Sequence, residues 1–338
     1  MTTRINLALQ GGGAHGAFTW GVLDRLLEEE TIEIAAISGT SAGALNGAAL
    51  KAGMISGGRA GAKRSLAKLW RDVARVSDLR VPAWLQPIVP GFEALGQIAL
   101  TLSPFSPQGI AAQVYTPYAW GPAWRNPLES IVRRLDFTNV CHRDGPQLFV
   151  GATNVETGRI RIFKGDEISP QALMASACLP SVFQAVQIDG QPYWDGGYSG
   201  NPALFPLYEP DLPDDIVIVS LNPFLREGVP KTPIDIQNRI NEISFNAALL
   251  GELRAVHFVR RLIRDGRMER GKMKDAMIHL ISDDDLMTEM SASTKLSPSP
   301  TLIQRLRAAG HAAADGFLRD HGKTLGHEAS FDLKTLFG

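Results

Sequence analysis

The sequence is short of sulfur, of net charge and of long apolar runs, and each shortage removes a class of protein. Two cysteines, Cys141 and Cys178, in 338 residues cannot form a disulfide framework, and neither has partners at zinc-site spacing. Such scarcity fits a reducing compartment, and Cys178, within Ala175-Ser176-Ala177-Cys178, reads as a buried structural thiol. Lys and Arg number 34 against 35 Asp and Glu, a net charge of −1, so the totals favour neither nucleic acid nor acidic surfaces as partners. No uninterrupted apolar stretch reaches the length of a membrane-spanning helix. Ile5 to Leu9 is too short for the apolar region of a secretion signal and runs straight into glycines. The expectation is a cytoplasmic protein, free to associate with a membrane surface. Its 44% apolar and 20% charged residues are ordinary for a globular chain that buries a core unaided.

What is present is a repeated plan. Ile5 to Leu9 reads as a strand and Gly11-Gly12-Gly13-Ala14-His15-Gly16 as a loop. Ala17 to Leu27 then carries apolar residues at helical spacing. The second unit has a strand from Ile34 to Gly39, a turn at Thr40-Ser41 and a small-residue helix from Ala42 to Ala52. Strand and helix in alternation point to a parallel sheet covered by helices. Further buried strands are expected at Leu148 to Thr153, Ile216 to Ser220 and Met277 to Ile281. Arg159 to Phe163 should pair back through a turn at Glu156-Thr157-Gly158. Ile234 to Arg264 should be mostly helical, and Ser291 to Pro300 a small polar loop.

Two stretches stand apart. Val81 to Trp124 holds seven prolines, three tryptophans and a single charged residue, Glu93. It cannot be one helix and is too apolar for a solvated linker. It is expected either as a lid or wall presented to something apolar such as a bilayer interface, or as a subdomain packed on the core or on a second copy. Arg254, Arg260, Arg261, Arg264, Arg267, Arg270, Lys272 and Lys274 form a basic stretch, read as a solvated face or as a contact for anionic lipid heads.

The chemistry centres on Gly39-Thr40-Ser41-Ala42-Gly43. G-x-S-x-G alone is weak, but here a buried strand precedes it and a helix follows, as a nucleophile on a sharp strand-to-helix turn requires. The flanking glycines remove side chains that would clash in the turn. The hydroxyl would lie at a helix N-terminus, which favours developing negative charge. The plain alternative is a serine capping an ordinary helix. Gly11, Gly12 and Gly13 follow the first strand and should lie at the same sheet edge, where exposed N–H groups can hold an oxyanion. Gly11, Gly13 and Gly16 also match a bare G-x-G-x-x-G nucleotide loop. However, no Lys-Ser or Lys-Thr follows, and no acidic residue ends the second strand to hold a ribose. None of the seven histidines sits in a turn that marks a triad member. His279 lies inside an apolar strand, and His15 in the glycine loop would touch substrate or hold the loop. Asp195, between Tyr193-Trp194 and Gly196-Gly197, is on a tight turn and is the better candidate base.

At these residues the chain resembles the patatin-like phospholipases. The glycine loop, the Ser41 pentapeptide and Asp195-Gly196-Gly197 stand in that family's order, and Met174 to Pro180 looks like its segment ahead of the aspartate. The resemblance covers about residues 5–220. It implies a three-layer α/β/α fold with a mostly parallel central sheet, a nucleophile elbow and the Pro/Trp-rich insertion. Residues 1–338 would form one such domain, with 81–127 as the insertion and 222–338 as a mainly helical extension holding one strand near 277–281. It further implies a Ser41–Asp195 dyad without histidine, Gly11, Gly12 and Gly13 as oxyanion donors, and no metal or organic cofactor. The implied activity is hydrolysis of phospholipids, lysophospholipids or simpler acyl esters through an acyl-enzyme. The partners implied are a lipid or acyl-ester substrate, peripheral membrane contact and a homo-oligomer, with no nucleic acid. Many members carry Arg or Lys where this chain has His15, so a fixed positive charge beside the loop is missing from that position. The rival readings are an acyltransferase with the same nucleophile, a catalytically weak lipid-binding regulator, and a conventional Ser-His-Asp hydrolase using His279.

Overall fold

The computed structural model describes residues 2–78, 117–120, 126–290, 294–295 and 298–337. The Pro/Trp-rich stretch 81–127 therefore lies outside the described residues except at 117–120 and 126–127. Eight strands form one mixed sheet: β1 (Thr3–Leu9), β2 (Ile32–Thr40), β3 (Gln147–Asn154), β4 (Ile160–Lys164), β5 (Val186–Ile188), β6 (Gln191–Asp195), β7 (Asp215–Val219) and β8 (Met277–Ile281). Their order is β5-β6-β3-β2-β1-β7-β8, with β4 also paired to β3. Strands β3, β2, β1, β7 and β8 run parallel. β4 returns antiparallel along β3 through the expected turn. Every residue of β7 is buried, as expected for a parallel strand covered on both faces.

Two apolar clusters divide by the two-residue period of the strands. Ile5, Leu7 and Leu9 of β1 face one layer with Ile37, Val217 and Val219. That layer holds α1 (Gly16–Leu26), α2 (Ala42–Asp78), α3 (Pro170–Ser176) and α5 (Pro300–His321). Ala8, Ile216, Ile218 and Ile278 face the other layer, where α4 (Pro233–Arg264) contributes Leu249, Leu253 and Val256. Three of these helices begin alike. Ser169, Thr232 and Ser299 each accept a hydrogen bond from a first-turn N–H, and a proline follows each.

The helix after Ser41 runs well past Ala52. It breaks at Gly57-Gly58, where Gly58 takes a φ of +58°, and resumes to Asp78. Half of the basic stretch near the end of α4 is engaged in local ion pairs: Arg260 with Asp275, Arg264 with Asp265, Lys272 with Glu269 and Lys274 with Asp214. Among the described residues, no helix is long and apolar enough to cross a membrane.

The chain beyond residue 222 is built into the body. β8 extends the sheet, and α5 lies against α1 so closely that a Cβ on Gly310 would stand 2.0 Å from the Phe18 carbonyl oxygen. Arg307 adds two hydrogen bonds to the buried Asp24, at 2.9 and 2.7 Å, and its guanidinium stacks over Trp20. Gly310→Ala must push these helices apart. We expect a loss of about 1–3 kcal/mol in urea unfolding; an unchanged midpoint would contradict the close approach.

Candidate active site

β1 and β2 are parallel neighbours, with Leu9 opposite Gly39, so the glycine loop and Ser41 emerge side by side. Ser41 has a φ of +55°, a region that a serine enters only where its surroundings enforce it. Two contacts enforce it here. The Ser41 N–H donates to Ser176 Oγ at 2.9 Å. Gly43, in the first turn of α2, packs on the end of β1, where a Cβ would lie 2.1 Å from the Leu9 carbonyl oxygen. The chain must therefore turn sharply into the helix, and Ser41 is left at its N-terminus, 8% exposed.

Asp195 arrives by a different route. β3 pairs with β2 over Gln147 to Gly151, with β4 over Phe149 to Thr153, and with β6 over Ala152 to Asn154. The β4 register overlaps both others, so β2 and β6 share one edge of β3 and meet there end to end. β2 stops opposite Gly151, and Asp195, the last residue of antiparallel β6, stands opposite Ala152. Ser41 and Asp195 thus occupy facing strand ends, and both line one cavity of about 290 Å³.

The Asp195 backbone is held by the Cys178 carbonyl, which accepts from its N–H at 2.8 Å, and by Thr153, whose hydroxyl donates to its carbonyl at 2.8 Å. Its carboxylate is 1% exposed as a residue, with Oδ1 accepting from the Gly197 N–H at 2.8 Å. Oδ2 is buried and has no hydrogen-bond partner among the described residues. Burial pushes the carboxyl up from 3.8 to about 7, against the Gly197 N–H and the nearby Ser41 hydroxyl, which favour the charged form. The result is a carboxylate with one oxygen anchored and one free, facing a serine.

The glycine loop offers fewer unpaired amides than expected. The Gly11 N–H is already donated to Asn201 Oδ1 at 2.6 Å, so it is not available to substrate. Gly12 and Gly13 line the cavity, and their N–H groups have no partner among the described residues. Ala42, also at the cavity, adds a first-turn amide that has no intrahelical acceptor.

Neither His15 nor His279 is suited to take a proton from Ser41. His15 lines the cavity, but its Nε2 is paired with Thr294 Oγ1 at 2.7 Å. Burial and the nearby Lys295 charge push it down to about 3, which makes it a very weak proton acceptor. His279 is bonded to Asp215 at 3.0 Å and to Ser330 at 2.9 Å. Asp215 begins β7, at the opposite sheet end from the loops after β1 and β2. This overturns the reading of His279 as the histidine of a triad with Ser41. Cys178 donates to the Gln184 carbonyl and is pushed up to about 12 by burial and the Asp195 charge, which leaves it a structural thiol.

Two residues escaped sequence reasoning. Ser176 stands in a run of small residues that carries no signal of its own, yet it accepts the Ser41 N–H. Lys295 stands in a stretch whose composition reads only as a small polar loop, yet it lines the cavity with Gly12 and Gly13. Much of the remaining lining is apolar, with Leu45, Leu69, Trp70 and Val73 from α2 and Leu179 and Phe183 from the segment after α3, while Asn238, Asn241 and Glu242 of α4 add polar groups.

The sequence profile described as Patatin-like phospholipase matches residues 7–208 of the chain. No curated protein matches it. Among solved structures, the chain is similar to VipD from Legionella pneumophila, at 17% identity and a TM-score of 0.43, over 94% of this chain and 67% of that one.

The Asp195 shift has a consequence for stability. Its folded pKa, about 7, lies above the ordinary 3.8, so its contribution is fully present below about 3.8 and is lost as pH rises through about 7. Asp195→Asn removes the buried charge while keeping an acceptor for Gly197. The variant should melt at least about 3 °C above wild type at pH 8, with a smaller gain at pH 4.5. A lower melting temperature at pH 8 would sink the assignment of an uncompensated carboxylate.

Proposed function

The chain belongs to the patatin-like phospholipase family, a family of lipid acyl hydrolases, and on that premise we propose that Ser41 and Asp195 form its catalytic dyad. The observation that carries this reading is the pairing of a strained Ser41 with a buried carboxylate whose Oδ2 is otherwise unoccupied. Ser41 Oγ attacks the ester carbonyl as its proton passes to Asp195 Oδ2. The N–H groups of Gly12, Gly13 and Ala42 receive the oxyanion. Asp195 returns the proton to the departing alcohol, leaving an acyl group on Ser41. Water then gives a proton to Asp195 and attacks the acyl-enzyme, which releases the fatty acid and restores both residues. A carboxylate near 7 is closer to the demands of this transfer than one at 3.8, so its burial serves the chemistry. Each oxyanion donor is worth roughly 10²–10³ in rate.

The substrate is an amphiphilic ester. The acyl chain enters between α2 and the 179–183 segment, and the leaving alcohol faces α4. Peripheral contact with a lipid surface fits Ile236, Ile240 and Ile243, which are exposed on α4 close to the cavity residues Asn238, Asn241 and Phe245.

Three measurements test this. A fluorophosphonate probe should label wild type and fail to label Ser41→Ala, and that variant should lose at least about 10³-fold in ester hydrolysis. Labelling that persists in Ser41→Ala would place the nucleophile elsewhere. Asp195→Asn should lower kcat about 10²- to 10⁴-fold. In wild type, kcat/KM should rise roughly tenfold per pH unit below about 7 and flatten above it, because the base acts only when deprotonated. A profile flat from pH 5 to 8 would exclude Asp195 as the base.

A further inference from the structure

Lys295 reaches the cavity from chain that lies outside the matched residues 7–208. It belongs to a short clamp on the glycine loop. Thr294 pairs with His15, and the Lys295 carbonyl lies against Gly13, where a Cβ would come within 2.3 Å of that oxygen. Gly13 also has a φ of +57°, so no other residue fits there without strain.

The ammonium of Lys295 is the notable part of this clamp. Among the described residues it donates one hydrogen bond, to Asn222 Oδ1 at 2.6 Å, and an ammonium has three donors. Among the described residues no carboxylate lies within ion-pair distance of it. Glu242, the acid that acts on it electrostatically, is already engaged by Arg226 at 2.6 and 3.0 Å and by Arg239 at 3.2 Å. Three cations therefore share one carboxylate, and His15 beside them is neutral. Across the cavity Asp195 is held near 7 and adds at most a partial negative charge at neutral pH. Burial and Arg226 push Lys295 down to about 8, against the pull of Glu242, so it still carries charge at neutral pH.

The cavity is polarised in the same sense. Its α2 side is apolar, with Leu45, Leu69, Trp70 and Val73. Its α4 side presents Asn238, Asn241 and Glu242 beside Phe245, with Lys295 also at the cavity. A ligand that satisfies both sides has a hydrocarbon chain at one end and an anionic group within a few bonds of the carbonyl.

We propose that Lys295 forms an anion subsite beside the glycine loop, and that it binds the phosphate group of an amphiphilic substrate whose acyl chain fills the α2 side. This deepens the proposed function and rests on it for the word substrate. The subsite itself rests on binding alone. Lys295 then distinguishes phosphate-bearing esters from neutral acylglycerols, a task that neither Ser41 nor Asp195 performs.

The test uses full-length protein carrying Ser41→Ala, so that no turnover intervenes, with dodecyl phosphate and dodecanol as probes below their aggregation concentrations. We expect dodecyl phosphate to bind at least about tenfold more tightly than dodecanol at pH 7. Adding Lys295→Met should bring the two affinities within about twofold by weakening dodecyl phosphate alone. Adding Lys295→Arg should keep most of the preference. Inorganic phosphate at equal concentration should displace little dodecyl phosphate, because it lacks the chain. The proposal is overturned if the preference survives Lys295→Met. It is also overturned if dodecanol binding falls in parallel, which would make Lys295 only a prop for the loop, or if inorganic phosphate competes fully. Loss of hydrolysis in every wild-type assay would sink the proposed function and leave this binding result standing.

Discussion

Strand β3 carries two strands on one edge, and the candidate site exists because they meet there. β2 approaches from one end in parallel and β6 from the other in antiparallel, and they stop at adjacent positions, Gly151 and Ala152. No loop has to be stretched to bring Ser41 and Asp195 together, since each follows or ends a strand pinned to the same neighbour. The junction has little room. A Cβ on Gly196 would lie 2.2 Å from the Gly151 carbonyl oxygen, which is why the chain leaves Asp195 through glycines. Thr40 ties the seam further by donating to the Gly200 carbonyl at 2.7 Å.

The same packing sets the chemistry of the carboxylate. Asp195 is closed off from water by the seam itself, so its charge is poorly solvated and its proton affinity rises. One backbone donor, from Gly197, holds its orientation without satisfying both oxygens. Strain at Ser41 and incomplete solvation at Asp195 both destabilise the fold, and both sit at the candidate site. The large apolar clusters on either face of the sheet supply the stability that tolerates them.

The chain beyond residue 222 completes this site. Gln10, immediately before the glycine loop, accepts from the N–H groups of Leu221 and Asn222, at 2.7 and 3.0 Å, and donates to Asn246 on α4 at 3.2 Å. The end of β1, the end of β7 and α4 are thereby joined in one buried polar network. Lys295 ties into it through Asn222. A positive charge missing from the loop at His15 is thus present in the same cavity, brought by a residue far along the chain.

The sequence by itself determined the parts whose signal is local. Hydrophobic period placed β1, β2, β3, β7 and β8 and the long helix α4 nearly at their ends, because a buried strand or an amphipathic helix writes its burial into neighbouring residues. Ser41 was legible for the same reason: glycines at Gly39 and Gly43 between a strand and a helix are demanded by the turn itself. Asp195 was legible as a residue but not as a carboxyl of raised pKa, since its shift comes from burial among atoms packed around it, which outweighs the opposing Gly197 amide. What only tertiary structure decided was every relation across long sequence separation. The Gly11 N–H is taken by Asn201, 190 residues away. His279 was drawn to the far end of the sheet by Asp215 and Ser330. Lys295 was carried from an unremarkable polar stretch to the side of the glycine loop. Hydrogen bonds and charges act through space, and composition and spacing along the chain do not record which distant groups will share a cavity.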